Sequence, residues 1–152
     1  MESDPKKFHR LGFPNKLAHL RDSHGITVDS RMMRHILSAN TARNCLVHRN
    51  GLVTEKDSES GRLLVSWRRL KLVSVDEDGE RDLLIGFVSE KEEKIVLKII
   101  DEEKIFNIGD SISFSPQEFQ YIAWSMFQFS SGIMESLIKW GRINGLIASS
   151  AD

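Results

Sequence analysis

The sequence predicts a mainly α protein with a β insertion, an α+β chain, and three observations carry that expectation. Two segments, 13–23 and 31–48, have helical starts and stops. Residues 62–75 alternate at period two. Ser115-Pro116-Gln117-Glu118 opens a long amphipathic run. With 152 residues, the chain is long enough to bury one core, so 1–152 reads as a single domain with a strand-rich insertion at about 62–114.

Met1 to Leu11 reads as a loose lead-in. Phe13-Pro14-Asn15 starts a helix, because proline suits the first turn, and Leu17 and Leu20 share a face before Gly25 stops it. Ile26 to Asp29 is a connector. Asp29 or Ser30 caps the next helix, Arg31 to His48, by accepting from its free amides, and Gly51 lies just beyond it. Arg62 to Val75 is a strand with Leu63, Val65, Trp67, Val73 and Val75 on one face. Asp76-Glu77-Asp78-Gly79 is a turn. Asp82 to Ser89 and Ile95 to Asp101 are two further strands joined by the charged turn Glu90 to Lys94. Asn107 to Asp110 turns into a short strand, Ser111 to Phe114. Ser115 and Glu118 then form a capping box around Pro116. Phe119, Ile122, Ala123, Met126, Phe127, Ser130, Ile133, Met134, Leu137 and Ile138 recur at helical spacing to about Gly141, and the Met and Phe residues among them read as core.

A formal net charge of -1 excludes a chain that binds nucleic acid by bulk charge, so any RNA contact must be local. One cysteine excludes an intrachain disulfide and suits a reducing compartment. No apolar run reaches the ~20 residues of a membrane span. Met1 to Arg10 has no apolar signal-peptide centre. The expectation is a cytoplasmic protein without a membrane partner.

The chemistry concentrates at one helix end, Thr41 to Gly51. Ala39, Ala42 and Leu46 share the expected buried arc with Met32 and Ile36, while Asn40, Asn44 and His48 line a polar stripe. Arg43 falls at the edge of the apolar arc, where a charge needs a partner, a cleft or a subunit interface. Arg, Asn and His together bind a phosphate, orient a hydroxyl and move a proton, which is what cutting RNA without a metal requires.

Ala42-Arg43-Asn44-Cys45-Leu46-Val47-His48-Arg49-Asn50-Gly51-Leu52-Val53 resembles the signature of HEPN domains: Arg, a polar residue, three further residues and His. Gly12 to Leu17 ahead of it, and Ile108-Gly109-Asp110-Ser111-Ile112 with the long helix behind it, are similar to flanking parts of prokaryotic HEPN-like proteins. Together these cover about two thirds of the chain. The resemblance implies a helical bundle that dimerises, with the motifs of two subunits facing one cleft, the sheet being inserted between the motif helix and the last helix. It implies a metal-independent endoribonuclease without a cofactor, of toxin or phage-defence type. Arg43 would hold the scissile phosphate, His48 would act as acid or base and Asn44 would orient a reacting group. Asn40, Arg49 and Asn50 are assigned to substrate binding. The implied partners are RNA, a second copy of the chain, and an antitoxin or regulatory protein. The alternative is a catalytically inactive HEPN-like dimer serving as a binding or regulatory module.

Trp67-Arg68-Arg69-Leu70-Lys71 offers a third reading, an RNA-binding strand, against that of a half-buried strand with one wet face. His9, His19, His24 and His35 lack metal-ligand spacing, so no metal site is expected. The runs Glu90 to Lys94 and Asp101 to Lys104 read as solvated turns.

Overall fold

A computed structural model describes residues 8–58, 60–76, 79–83 and 94–148. Among the described residues are three helices and a three-stranded antiparallel sheet, with α2 and α3 packed on β1: α1 is Phe13–His24, α2 Ser30–Arg49, β1 Arg62–Asp76, β2 Gly79–Asp82, β3 Lys94–Asn107 and α3 Pro116–Ile143. The mixed α+β architecture is the one the sequence predicts.

The helix ends follow their side chains. Asp29 caps α2, its Oδ1 accepting from the amides of Arg31 at 2.9 Å and Met32 at 3.2 Å. Asn50 itself takes the left-handed conformation that ends α2, at φ 52°, with Gly51 following at φ 78°. The capping box of α3 forms from both sides, the Glu118 amide donating to Ser115 Oγ and the Ser115 amide to Glu118 Oε2. Gly141 does not end α3, which continues to Ile143. The returning chain packs on that glycine, and a Cβ there would lie 2.7 Å from Ile147 Cδ1.

The strands depart from expectation in three places. Among the described residues the sheet order is β2-β1-β3, and β3 pairs with β1 from Arg62↔Asn107 to Val75↔Lys94. β3 also runs six residues beyond Asp101. The charged run Asp101 to Lys104 stays extended because it is neutralised in place: Arg68 reaches Asp101 at 3.3 Å, Arg69 reaches Glu102 at 2.6 Å and Glu118 meets Lys104 at 3.0 Å. Strand β2 begins at Gly79, across the expected turn, while most of the expected strand Asp82 to Ser89 and turn Glu90 to Lys94 lies outside the described residues. Ser111 to Phe114 contributes one bridge, Leu52↔Ser111, in place of a strand.

β2 covers only the last four residues of β1, and two helices meet that edge at Ser66 and Arg68 with serines. Ser38 Oγ on α2 donates to its own helix at the His35 carbonyl and accepts the Ser66 amide at 3.0 Å. Ser125 Oγ on α3 donates to the Tyr121 carbonyl and accepts the Arg68 amide at 2.8 Å. Each hydroxyl thus satisfies a strand amide that burial would otherwise leave unpaired.

Around this edge lie two apolar clusters. Ala39, Ala42 and Cys45 of α2 meet Val65 and Trp67 of β1 and Ile122 of α3; Met32 and Ile36 meet Leu17 of α1 and Phe129 of α3. Because Ile122 meets the late part of α2 and Phe129 the early part, α2 and α3 run antiparallel. Leu46, expected inside, is 46% exposed, and Cys45 takes its place at 0%. The reason is that β1 packs on the Ala42–Cys45 side of α2, which turns Leu46 outward. The expected core face of α3 is also partly outside: Phe119, Met126, Phe127 and Met134 are exposed, and Ile122, Ser125 and Phe129 carry the packing. Among the described residues no helix is long and apolar enough to cross a membrane.

A buried polar relay joins helix and sheet. His35 Nδ1 lies 2.8 Å from Ser66 Oγ and its Nε2 3.2 Å from Asp101 Oδ1. An ionised Asp101 only accepts, so Nε2 carries the ring proton and Nδ1 accepts from Ser66. Burial opposes ionisation of Asp101, but hydrogen bonds from Arg68 and His35 outweigh it and hold the carboxyl below its ordinary value. Burial also keeps the His35 ring below the ordinary histidine value, against the pull of Asp101. The unfolded chain therefore binds a proton that the folded chain refuses, and stability declines as pH falls below about 6.5. Asp101 adds its own loss only at more acid pH, below about 4. Urea midpoints taken from about pH 8 to about pH 5 should fall toward acid, and His35→Gln should flatten that slope while costing about 1–3 kcal/mol at the alkaline end.

Candidate nucleic-acid cleavage site

The end of α2 is held from two sides. Arg49 Nε donates to Asp57 Oδ2 at 2.7 Å and its terminal nitrogen to Oδ1, while the Thr54 amide and hydroxyl fill the other positions on that carboxylate at 3.1 and 3.0 Å. The Asp57 side chain has no exposed surface. Burial opposes its ionisation, and the bonds from Arg49 and Thr54 outweigh burial and hold the carboxyl below its ordinary value. On the other side, the Gly51 carbonyl accepts the Ile112 amide at 2.8 Å, and Val53 exchanges bonds with Asp110 and Gly109. The Asn107 to Asp110 turn and the motif therefore meet in space. Cys45 lies beneath them, its thiol bonded to the Leu52 carbonyl at 3.2 Å and pushed up by burial.

On this fixed end, Arg43 and His48 are exposed and Asn44 is half-buried. Among the described residues Arg43 meets no carboxylate; its Nη1 donates to Asn44 Oδ1 at 3.2 Å. The structure brings Arg43 and Asn44 together but not Arg43 and His48, since five residues on one helix place them about 140° apart around the axis and about 7.5 Å along it. Asn40 is half-buried on the stripe of Asn44 and His48, and Asn50 is exposed at the turn. Arg49 is different: its guanidinium is engaged by Asp57, so its place is as an anchor of the helix end.

A groove of 810 Å³ runs along the same side of α2, lined by Arg34, Leu37, Thr41, Arg62, Leu64 and Glu103 among others. Thr41 and Leu37 stand about one and two turns before Asn44 on this side of the helix. The groove carries both guanidinium and hydroxyl groups beside an apolar floor.

The strand Trp67 to Lys71 does not present a basic face. Trp67 is buried and donates to Glu102, Arg68 pairs with Asp101 and lies 3.8 Å from Asp29, Arg69 pairs with Glu102 and Lys71 with Asp82. Its cations are engaged in holding the sheet, which corrects the reading of this strand as an RNA platform. Among the described residues no group of three His, Cys, Asp or Glu side chains is arranged to hold a metal ion. Sequence reasoning missed Asp57, although Thr54-x-x-Asp57 has the spacing of a capping pair, and that spacing would have identified it.

Breaking the anchor and trimming the exposed motif should differ sharply. Asp57→Ala should cost about 3 kcal/mol by urea denaturation, because it leaves Arg49 and Thr54 without their acceptor, whereas Arg43→Ala should cost less than about 0.5 kcal/mol.

Comparison with family models, with curated proteins and with solved structures finds no match for this chain.

Proposed function

We propose that this protein is a metal-independent endoribonuclease of HEPN type, cleaving RNA at a composite site in a homodimer. One observation carries the reading: of the polar groups at the end of α2, Arg49 is tied to Asp57, while Arg43, Asn44 and His48 are left outside the structural pairing and exposed or half-exposed on a rigid support. Held on that support and open to solvent, these side chains are free to meet a substrate.

The chemistry follows from the side chains. The RNA 2′-hydroxyl is an internal nucleophile, so the site has to position it, move protons and stabilise charge on the phosphorane. His48 takes the 2′ proton or supplies one to the 5′ leaving oxygen. Arg43 meets the non-bridging oxygens with its planar fork, and Asn44, which accepts from Arg43, fixes the direction of that fork. Asn40 and Asn50 serve as further contacts to the strand, and the 810 Å³ groove supplies its path, with Arg34 and Arg62 facing phosphates. The products are a 2′,3′-cyclic phosphate and a 5′-hydroxyl.

The divergence of Arg43 from His48 on one helix supports a site completed by a second copy. The apolar surface for that contact is available: Leu46 and Val47 lie exposed within the motif, and Phe119, Met126, Phe127 and Met134 form an exposed stripe on α3, antiparallel to α2. Cleavage of cytoplasmic RNA, in the manner of a toxin or phage-defence effector controlled by an antitoxin or regulatory protein, is the setting this reading implies.

Purified protein incubated with mixed RNA in EDTA should produce cyclic phosphate ends and leave DNA intact, and His48→Ala should slow cleavage by about 10²–10⁴-fold without changing the thermal melt. Absence of cleavage by the wild-type dimer would favour the binding or regulatory module instead. Phe127→Glu should shift the sedimenting mass from dimer to monomer and remove cleavage, since each monomer then lacks half the site.

A further inference from the structure

The 810 Å³ groove beside α2 contains one carboxylate that the fold leaves unused. Alternation along β3 puts Asp101, Glu103 and Ile105 on one face, opposite Arg68, Ser66 and Leu64 of β1. Asp101 is taken by Arg68 and His35, while Glu102 and Lys104 on the other face pair with Arg69 and Glu118. Glu103 is exposed, and its carboxylate has no hydrogen-bond or ion-pair partner among the described residues. Asp57, the other carboxylate lining the groove, is saturated by Arg49 and Thr54. The cations of the groove, Arg34 and Arg62, are exposed, and Arg34 stands 3.9 Å from Asp101.

We infer, on the ribonuclease reading given above, that Glu103 reads a guanine base, so that the groove selects guanosine near the cleaved bond. A carboxylate only accepts hydrogen bonds, and it repels phosphate. A strand in the groove therefore meets Glu103 with a donor and turns its phosphates to Arg34 and Arg62. Guanine alone has two donors side by side, N1–H and the N2 amino group, which match the two oxygens of a carboxylate. Adenine and cytosine set one amino group beside a lone pair, and uracil sets its N3–H between two carbonyls, so each brings an acceptor against the charge. Leu37, Leu64 and Ile105 line the same groove and give the base an apolar surface to lie on. The position fits as well. Glu103 is opposite Ser66, whose amide is bonded to Ser38 on α2, six residues or about 9 Å along the axis before Asn44. The base is thus close to the phosphate assigned to Arg43 without being part of the reacting centre.

Binding, read separately from cleavage, tests this contact. Short uridine RNAs carrying one central guanosine, adenosine or cytidine, and the all-uridine strand, are titrated by fluorescence anisotropy with His48→Ala protein, which leaves the strands intact. The guanosine strand should bind about 10-fold more tightly than the other three. Inosine, which keeps N1–H and lacks the amino group, should lose most of that advantage. Adding Glu103→Ala should bring all strands within about two-fold of one another with an unchanged thermal melt, whereas adding Arg62→Ala should weaken all of them alike. Equal binding of the four strands while Glu103 is present, as a contact to a ribose hydroxyl would give, overturns the inference and leaves the ribonuclease reading standing. A guanosine preference that survives Glu103→Ala does the same. Failure of every strand to bind overturns both. A Glu103-dependent guanosine preference without cleavage by the wild-type chain in EDTA supports the base contact and counts against the ribonuclease reading alone.

Discussion

The open edge of β1 is the constraint on which the rest of this fold depends. A strand of 15 residues has β3 along nearly its whole length on one side but β2 along only four residues on the other. Where that edge enters the interior, the amides of Ser66 and Arg68 must be satisfied by protein groups, and Ser38 and Ser125 do this from two antiparallel helices. Both residues are small enough to let a helix approach the strand edge, and each hydroxyl donates to its own helix while accepting from the strand. The spacing of α2 and α3 is thereby set by hydrogen bonds as well as by apolar volume. The His35–Ser66–Asp101 relay extends the same contact to β3, and Arg68 links it to Asp29 at the start of α2.

That arrangement explains why the far end of α2 is a suitable support for chemistry. The helix is held at its start through Asp29, along its middle by the strand edge, and at its end by Arg49 on Asp57 and by Gly51 on Ile112. Under the proposed function, a backbone fixed in this way would limit the reorganisation needed at Arg43 and His48 when RNA binds. The charged residues divide accordingly into those that hold the fold and those displayed on it. Arg68, Arg69 and Asp57 belong to the first set, and Arg43 and His48 to the second.

The apolar residues divide in the same way. The two internal clusters are modest, while aliphatic and aromatic side chains stand outside on α3, at the end of α2 and on the outer sheet face. Under the proposed function, such exposed apolar surface is where association with a second copy would add to the burial achieved by folding.

The sequence by itself determined much of the local structure. Asp29, the Ser115–Glu118 box and the Gly25 and Asn50–Gly51 ends are short-range hydrogen-bonding and φ requirements, readable from neighbours in the chain, and alternation in Arg62 to Val75 located the central strand. Arg43, Asn44 and His48 were legible as a group because helical spacing is local. Tertiary structure alone decided which side of α2 is buried, and so replaced Leu46 with Cys45 in the core. It decided that Asp101 to Lys104 stays in the sheet, since the cations that neutralise the run come from β1 and α3. It also decided that Arg49 is an anchor and that Trp67 to Lys71 is an interior strand. In each case the partner lies many residues away, and a charge or an apolar group acquires its meaning only from what stands opposite it.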